Sequence, residues 1–254
     1  FQAEDGIRDR SPSRGLGDVY KRQVKARDLL VDLVRDFECT LGPDHPTTLE
    51  ACVSLAFWTG ASGEPEKECE TLADLVPKLK RILGPDHPST LTARSNSANS
   101  IGASGDFEVA RDLYSELTRD LIRALGPEHP RTLVASSKRI WWIGKAGEPQ
   151  KARDLLVDLV SDLERILGRD HPNTLAAADS LALWTGKTGE PQKARDLLVA
   201  LVSDLQRILG PEHPNTLTCR SNLAFWRGVC SRTGSPGFVP SRRQGRTSRR
   251  RRRR

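Results

Sequence analysis

The residues that most readily suggest chemistry are five histidines, His45, His87, His129, His171 and His213, each 42 residues after the last. Imidazole is the commonest metal ligand and titrates nearest neutral pH. The spacing opposes a shared site, because equivalent atoms in successive stacked units lie at least one helix-packing distance apart, roughly 8–10 Å. Ligands of a single zinc ion must approach to about 2 Å. No metal and no cofactor is expected, and the histidines read as residues that fix a joint through hydrogen bonds. Gly186-Lys187-Thr188 imitates the end of a phosphate-binding loop, but Leu181 stands where the first glycine of that motif belongs. No Ser-His-Asp order and no paired-carboxylate site is present. Periodic repetition distributes like residues evenly, whereas catalysis gathers unlike ones at one place. The chain is not expected to be an enzyme.

The elements that carry the histidines follow from the same period. Leu41-Gly42-Pro43-Asp44-His45-Pro46-Thr47-Thr48-Leu49 returns, with small changes, from Leu83, Leu125, Leu167 and Leu209. A repeat of this length signals a stacked array. In each copy the glycine predicts a left-handed C-cap that ends one helix, and Pro46 and its counterparts suit the first turn of the next. Between joints, Ala26, Leu30, Leu33 and Phe37 are spaced as one helical stripe. The Leu33 column continues as Leu75, Leu117, Leu159 and Leu201. A shorter helix, from about Thr48 to Thr59 and its equivalents, ends at Gly60, Gly102, Gly144, Gly186 and Gly228. Short connections make neighbouring helices antiparallel. The predicted fold is all-α, a right-handed superhelix of antiparallel helix pairs covering residues 24–228 as a half repeat, four full repeats and a half repeat. Pro77, inside a longer helix, predicts a kink or a cost of about 3 kcal/mol.

The formal charge of +7 is misleading about partners. Residues 229–254 hold ten arginines and no acid, and residues 1–23 are net +1, which leaves residues 24–228 at −4. An acidic body gives no reason to expect a phosphate partner. Cys39, Cys52, Cys69, Cys219 and Cys230 are odd in number and have no CxxC spacing, as expected of reduced thiols in a cytoplasmic protein. No apolar run reaches the roughly 20 residues needed to cross a bilayer. Residues 1–23 fall outside the repeat. Gln2–Asp9 and Ser13–Gln23 read back, codon for codon, as sequence resembling standard sequencing-library adapters, so this segment is expected to be disordered and foreign to the fold. After Gly228 the period breaks into Arg, Ser, Gly and Pro, as a shifted reading frame would give, and a basic disordered tail is expected there. The chain contains no Met and is expected to be a piece of a larger protein.

The joint, Asn222-Leu223-Ala224, the Gly-x-x-Gly turn, and Ala152 and Ala194 five residues beyond its second glycine resemble a long tetratricopeptide repeat of the kinesin-light-chain type. The resemblance also extends to arrays attached to signalling nucleotide triphosphatases in high-GC bacteria. It implies a non-catalytic scaffold for protein–protein interaction, whose first helices line a concave groove that takes a peptide or protein partner. Carried over by position, the groove residues are Asn96, Asn99, Lys138, Trp141, Asp179, Ser180, Leu183 and Asn222, with Val53, Ser54, Phe57, Ser95, Ser137, Ser221 and Phe225 beside them. Ser54, Lys138 and Ser180 depart from the asparagine usual in that family. Trp58, Trp142, Trp184 and Trp226 form one column and are read as core, whereas Trp141, in the adjacent column, is a candidate recognition anchor. A second reading is nucleic-acid binding through Arg249–Arg254. The underlying nucleotide sequence is expected to show that a shift of one or two bases after Gly228 restores a Gly-Glu-Pro turn and an Ala-Arg-Asp-Leu-like helix. An uninterrupted frame there would make the basic tail genuine.

Overall fold

The computed structural model describes residues 12–233, with side chains from Lys21 to Arg232. Among these residues there are ten helices: α1 (Pro12–Thr40), α2 (Pro46–Ala61), α3 (Pro65–Ile82), α4 (Pro88–Ala103), α5 (Phe107–Leu125), α6 (Pro130–Lys145), α7 (Pro149–Leu167), α8 (Pro172–Lys187), α9 (Pro191–Leu209) and α10 (Pro214–Thr233). Each helix packs on its sequence neighbours. The even-numbered helices also touch one another, α2 with α4, α6 with α8 and α8 with α10, and the odd-numbered helices make no comparable approach. The inner side of the superhelix therefore belongs to the even-numbered set. The expected disorder of the two ends falls mostly on residues 1–11 and 234–254, outside the described residues. Residues 12–23 and 229–233 are nevertheless helical. Once a helix exists, each added residue gains a backbone hydrogen bond without a new nucleation cost.

The joints are built from three parts. Each histidine is an N-cap: Nδ1 of His45, His87, His129, His171 and His213 accepts from the backbone N–H two residues on, at 3.1–3.3 Å. This satisfies one of the donors left open at a helix start, and proline at the first helical position removes another. The glycine departs from the left-handed helical cap that was expected. Gly126 has φ 90° and ψ 163°, a positive φ with an extended ψ that only glycine adopts readily. This geometry leaves its carbonyl to accept from the hydroxyl of buried Thr132, at 2.8 Å, and Thr48 and Thr174 do the same for Gly42 and Gly168. The threonine is present in every copy of the joint, yet its role is invisible without the coordinates.

The core is a series of apolar clusters, each shared by consecutive helices. One contains Leu133, Ile140, Ile143, Ala152, Leu156, Leu159, Leu163, Ala177 and Trp184. Trp142, Trp184 and Trp226 each lay an indole across a helical glycine of the preceding inner helix, Gly102, Gly144 and Gly186, so closely that a Cβ on the glycine would overlap the ring carbons. Absence of a side chain at these glycines is thus a packing requirement. The indole nitrogens of Trp142 and Trp184 are buried without a hydrogen-bond partner, so packing and contacts to the ring faces hold them there, with Phe107 stacked on Trp142 and Lys187 Nζ 4.8 Å from the Trp184 centroid. Leu33 is 40% exposed although Leu75, Leu117, Leu159 and Leu201 are at most 7% exposed. Among the described residues α1 is flanked by α2 on one side only. Pro77 does not break α3, which stays continuous through it, with the ring on the exposed face.

Two outcomes in chemical denaturation check this account. Gly144→Ala is expected to destabilise the array by about 1–3 kcal/mol, the usual cost of forcing extra volume into a close-packed contact. Pro77→Ser, which restores a helix-interior N–H, is expected to raise stability by up to about 3 kcal/mol.

Candidate functional site

The inner surface offers one well-formed recess among the residues named from the sequence. It has a volume of about 360 Å³ and lies between α4 and α6, with Thr92, Ser95 and Asn96 on one wall and Arg131 and Val134 on the other. Leu117 and Leu121 of α5 form its floor, and Asn173 at the start of α8 reaches its rim. Helical spacing explains the walls. Positions 92, 96 and 99 share one face of α4, and 131, 134, 138 and 141 share one face of α6. Asn96 is half-buried at the recess, and Lys138 is exposed further along the α6 face.

Beyond the recess, a row of side chains follows the inner face at the 42-residue step: Phe57, Asn99, Trp141, Leu183 and Phe225. Phe57 is 46% and Phe225 58% exposed, and each meets its neighbouring tryptophan edge to face. Trp141 is half-buried, its ring centroid 5.6 Å from that of Trp184 at a tilt of 59°, and Lys145 Nζ lies 5.8 Å from the Trp141 centroid. Leu183 is half-buried. Asn99 hydrogen-bonds Tyr114, whose hydroxyl also donates to the Ser95 carbonyl at 3.0 Å and lies 2.8 Å from Ser95 Oγ. Burial raises the Tyr114 pKa to about 12, so the phenol stays a neutral donor.

Asn222, Asp179 and Ser180 are likewise engaged within the protein. Asn222 Nδ2 on α10 donates to both carboxylate oxygens of Asp179 on α8, at 3.2 and 3.3 Å. Burial raises the Asp179 pKa, opposed by hydrogen bonds from Asn222 and Cys219. The Cys219 thiol is itself raised to about 12 by burial and by the neighbouring carboxylate. Ser180 Oγ donates to the Ala176 carbonyl of its own helix, at 3.0 Å. Val53, expected beside the groove, lies in the core at 5% exposure, packed with Leu49, Leu72 and Ala93, because its column points at the following helix. Thr92, Arg131, Val134 and Asn173 were not singled out from sequence. The i−4 neighbour of Asn96 and the i−7 neighbour of Lys138 would have found two of them.

Among the described residues no group of three or more His, Cys, Asp or Glu side chains is arranged to hold a metal ion. No described helix is long and apolar enough to cross a membrane.

The geometry can be set beside known proteins. Residues 144–173 and 174–215 match the family model described as tetratricopeptide repeat. Two solved structures contain the nearly identical TPR-like repeats of a Podosopora anserina putative kinesin light chain. One, of a point variant, is 26% identical, with a TM-score of 0.62, over 76% of this chain and 94% of that one. The other is 25% identical, with a TM-score of 0.59, over 78% and 98%. BtubC (BKLC) from P. vanneervenii shares the fold at 11% identity, with a TM-score of 0.58 over 89% of this chain and 95% of its own. No curated protein matches the sequence.

Asp179 gives a pH test. A carboxyl whose pKa is raised on folding favours the folded state when protonated, and this contribution is lost as pH rises through the folded value. Asp179→Asn is therefore expected to gain stability relative to the parent as pH rises from the ordinary aspartate value of 3.8 towards neutrality, read from urea midpoints across pH. A constant difference across that range would show that Asp179 titrates as it does in the unfolded chain. Two stretches match the tetratricopeptide-repeat model, and the whole solenoid is similar to the arrays of kinesin-light-chain-like proteins.

Proposed function

We propose that the array is a non-catalytic scaffold, part of a larger cytoplasmic signalling or regulatory protein, and that it holds a peptide or protein segment along its inner face. The observation that carries this reading is the row Phe57, Trp141, Leu183 and Phe225, partly bare beside the recess at Asn96. Partly buried aromatic side chains flanked by polar groups are typical anchors of protein interfaces, where the ring supplies area and the neighbours supply direction. Asn96 offers both a donor and an acceptor, the combination needed to hold an extended backbone. Lys138 adds a charge at the centre of the row. Asp179, Asn222 and Asn99 serve this surface indirectly, by fixing the inner helices to one another and to α5. The solved arrays of similar fold support a scaffold role at the level of the fold alone.

Selection of binders from a displayed peptide library, followed by titration against variants, tests the proposal. Trp141→Ala is expected to weaken a selected peptide by about thirtyfold or more, the loss typical of a buried aromatic anchor. Asn96→Ala is expected to weaken it less, and deletion of 234–254 to leave it unchanged. Peptides indifferent to Trp141, Asn96 and Lys138 alike would place binding elsewhere. Retention of DNA that disappears on deleting 234–254 would favour the basic tail as the functional element.

A further inference from the structure

We propose that the seam between α2–α3 and α4–α5 is a built-in hinge of the array. Three devices that recur at other described seams are altered there, all in the same place. The first is the indole on glycine. Trp142, Trp184 and Trp226 cover Gly102, Gly144 and Gly186, but the residue that should cover Gly60 is Ser100. In its place the Glu68 side chain folds over Gly60, at the column where Ala110, Ala152 and Ala194 are fully buried. A small residue beside a large ring has been exchanged for a long acid beside a small hydroxyl.

The second device is an ion pair between successive outer helices. Arg27, Arg111 and Arg153 reach Glu64, Glu148 and Glu190 of the following unit. At this seam the corresponding residues are Cys69 and Asp106, which cannot form the pair. The third is the threonine clasp. Thr48, Thr132 and Thr174 bond the glycine carbonyl of their joints, and Thr216 turns to the Leu205 carbonyl, whereas buried Thr90 Oγ1 has no partner.

Ala93 of α4 still packs into the apolar cluster of α2 and α3, and the contacts that stand in for the three altered devices are polar and adjustable. Ser89 Oγ donates to Glu50 at 3.0 Å, Ser100 Oγ reaches the Pro65 carbonyl at 3.4 Å, and Glu68 hydrogen-bonds Ser100. Such contacts can be exchanged for water as the helices part, whereas an indole seated on a helix backbone leaves a cavity if it withdraws. The consequence is positional. The hinge separates α2, which carries Phe57, from α4 to α10, which carry the recess and the rest of the aromatic row. Rotation there changes the curvature of the inner face without disturbing its longer part. The hinge does not depend on what that face binds.

Amide hydrogen exchange on the full chain tests the hinge without any substitution. Amides of α3 and of the following joint are expected to exchange at least tenfold faster than their equivalents in α7 and its joint. Equal protection at the two seams would overturn the proposal. Installing the missing device is the second arm. Glu68→Ala with Ser100→Trp is expected to slow exchange at the seam at least tenfold, whereas Ser100→Trp alone, which meets the Glu68 side chain, is expected to speed it. The reverse exchange, Ala152→Glu with Trp184→Ser, is expected to loosen the α6–α8 seam. No change at the first seam in the double variant, together with no loosening at the second, would show that these residues do not govern the motion.

Discussion

An indole resting on a bare stretch of helix is the contact on which the array depends. A stack of helix pairs has no single core, and each unit is stabilised by what it buries against its neighbours. Trp184 on Gly144 joins two inner helices at their ends, and the same ring lies in a cluster with Ala152 of the intervening outer helix. Three helices are thus fixed by one side chain. Truncating a buried ring of this size typically costs about 3–5 kcal/mol, a large share of the roughly 5–15 kcal/mol that separates a folded domain from its unfolded chain. The glycine and the alanine are as necessary as the tryptophan, since a side chain at either would compete for the space the ring occupies.

The joints set the angle at which that contact is made. The histidine cap fixes the start of each inner helix, and the glycine ends the outer helix in a conformation other residues avoid. At three joints threonine then bonds the glycine carbonyl, which satisfies a buried hydroxyl that would otherwise be costly. The ion pairs from Arg153 to Glu190 and from Arg207 to Asp170 lie on half-exposed surface. Pairs of this kind contribute little to stability in water, and they act here as guides to register between successive units. Strength comes from the indoles and orientation from the polar groups.

This division explains why the inner face can vary. Residues that face the groove lie outside the joint and outside the overlap of indole and glycine, and Phe57, Trp141 and Phe225 touch the tryptophan column only from the side. The columns of Asn96 and Phe57 therefore change freely among serine, asparagine, lysine, phenylalanine, tryptophan and leucine while the scaffold stays the same. Where one unit gives up its tryptophan, as at Ser100, a carboxylate fills the space. Burial raises the Glu68 pKa, with the hydrogen bond from Ser100 acting the other way. The array tolerates that substitution because each seam is an independent contact.

By itself the sequence determined the period, the helix boundaries at proline and glycine, and the nature of the fold, because these depend on local backbone chemistry repeated in register. It also separated Trp141 from the tryptophan column, since adjacent residues of a helix face different ways. Tertiary structure decided what the repetition could not reveal. Asp179 and Asn222 stand 43 residues apart and meet only because inner helices pack side by side. The exchange of Glu68 and Ser100 is compensatory only once both are seen over Gly60, and Val53 turned inward because its column faces a neighbouring helix. The glycine of the joint proved extended rather than helical in ψ, which lets the threonine six residues on reach its carbonyl at three of the joints. Periodicity gives the contacts each unit shares with the others; contacts in which one unit differs depend on distances that only the packed helices set.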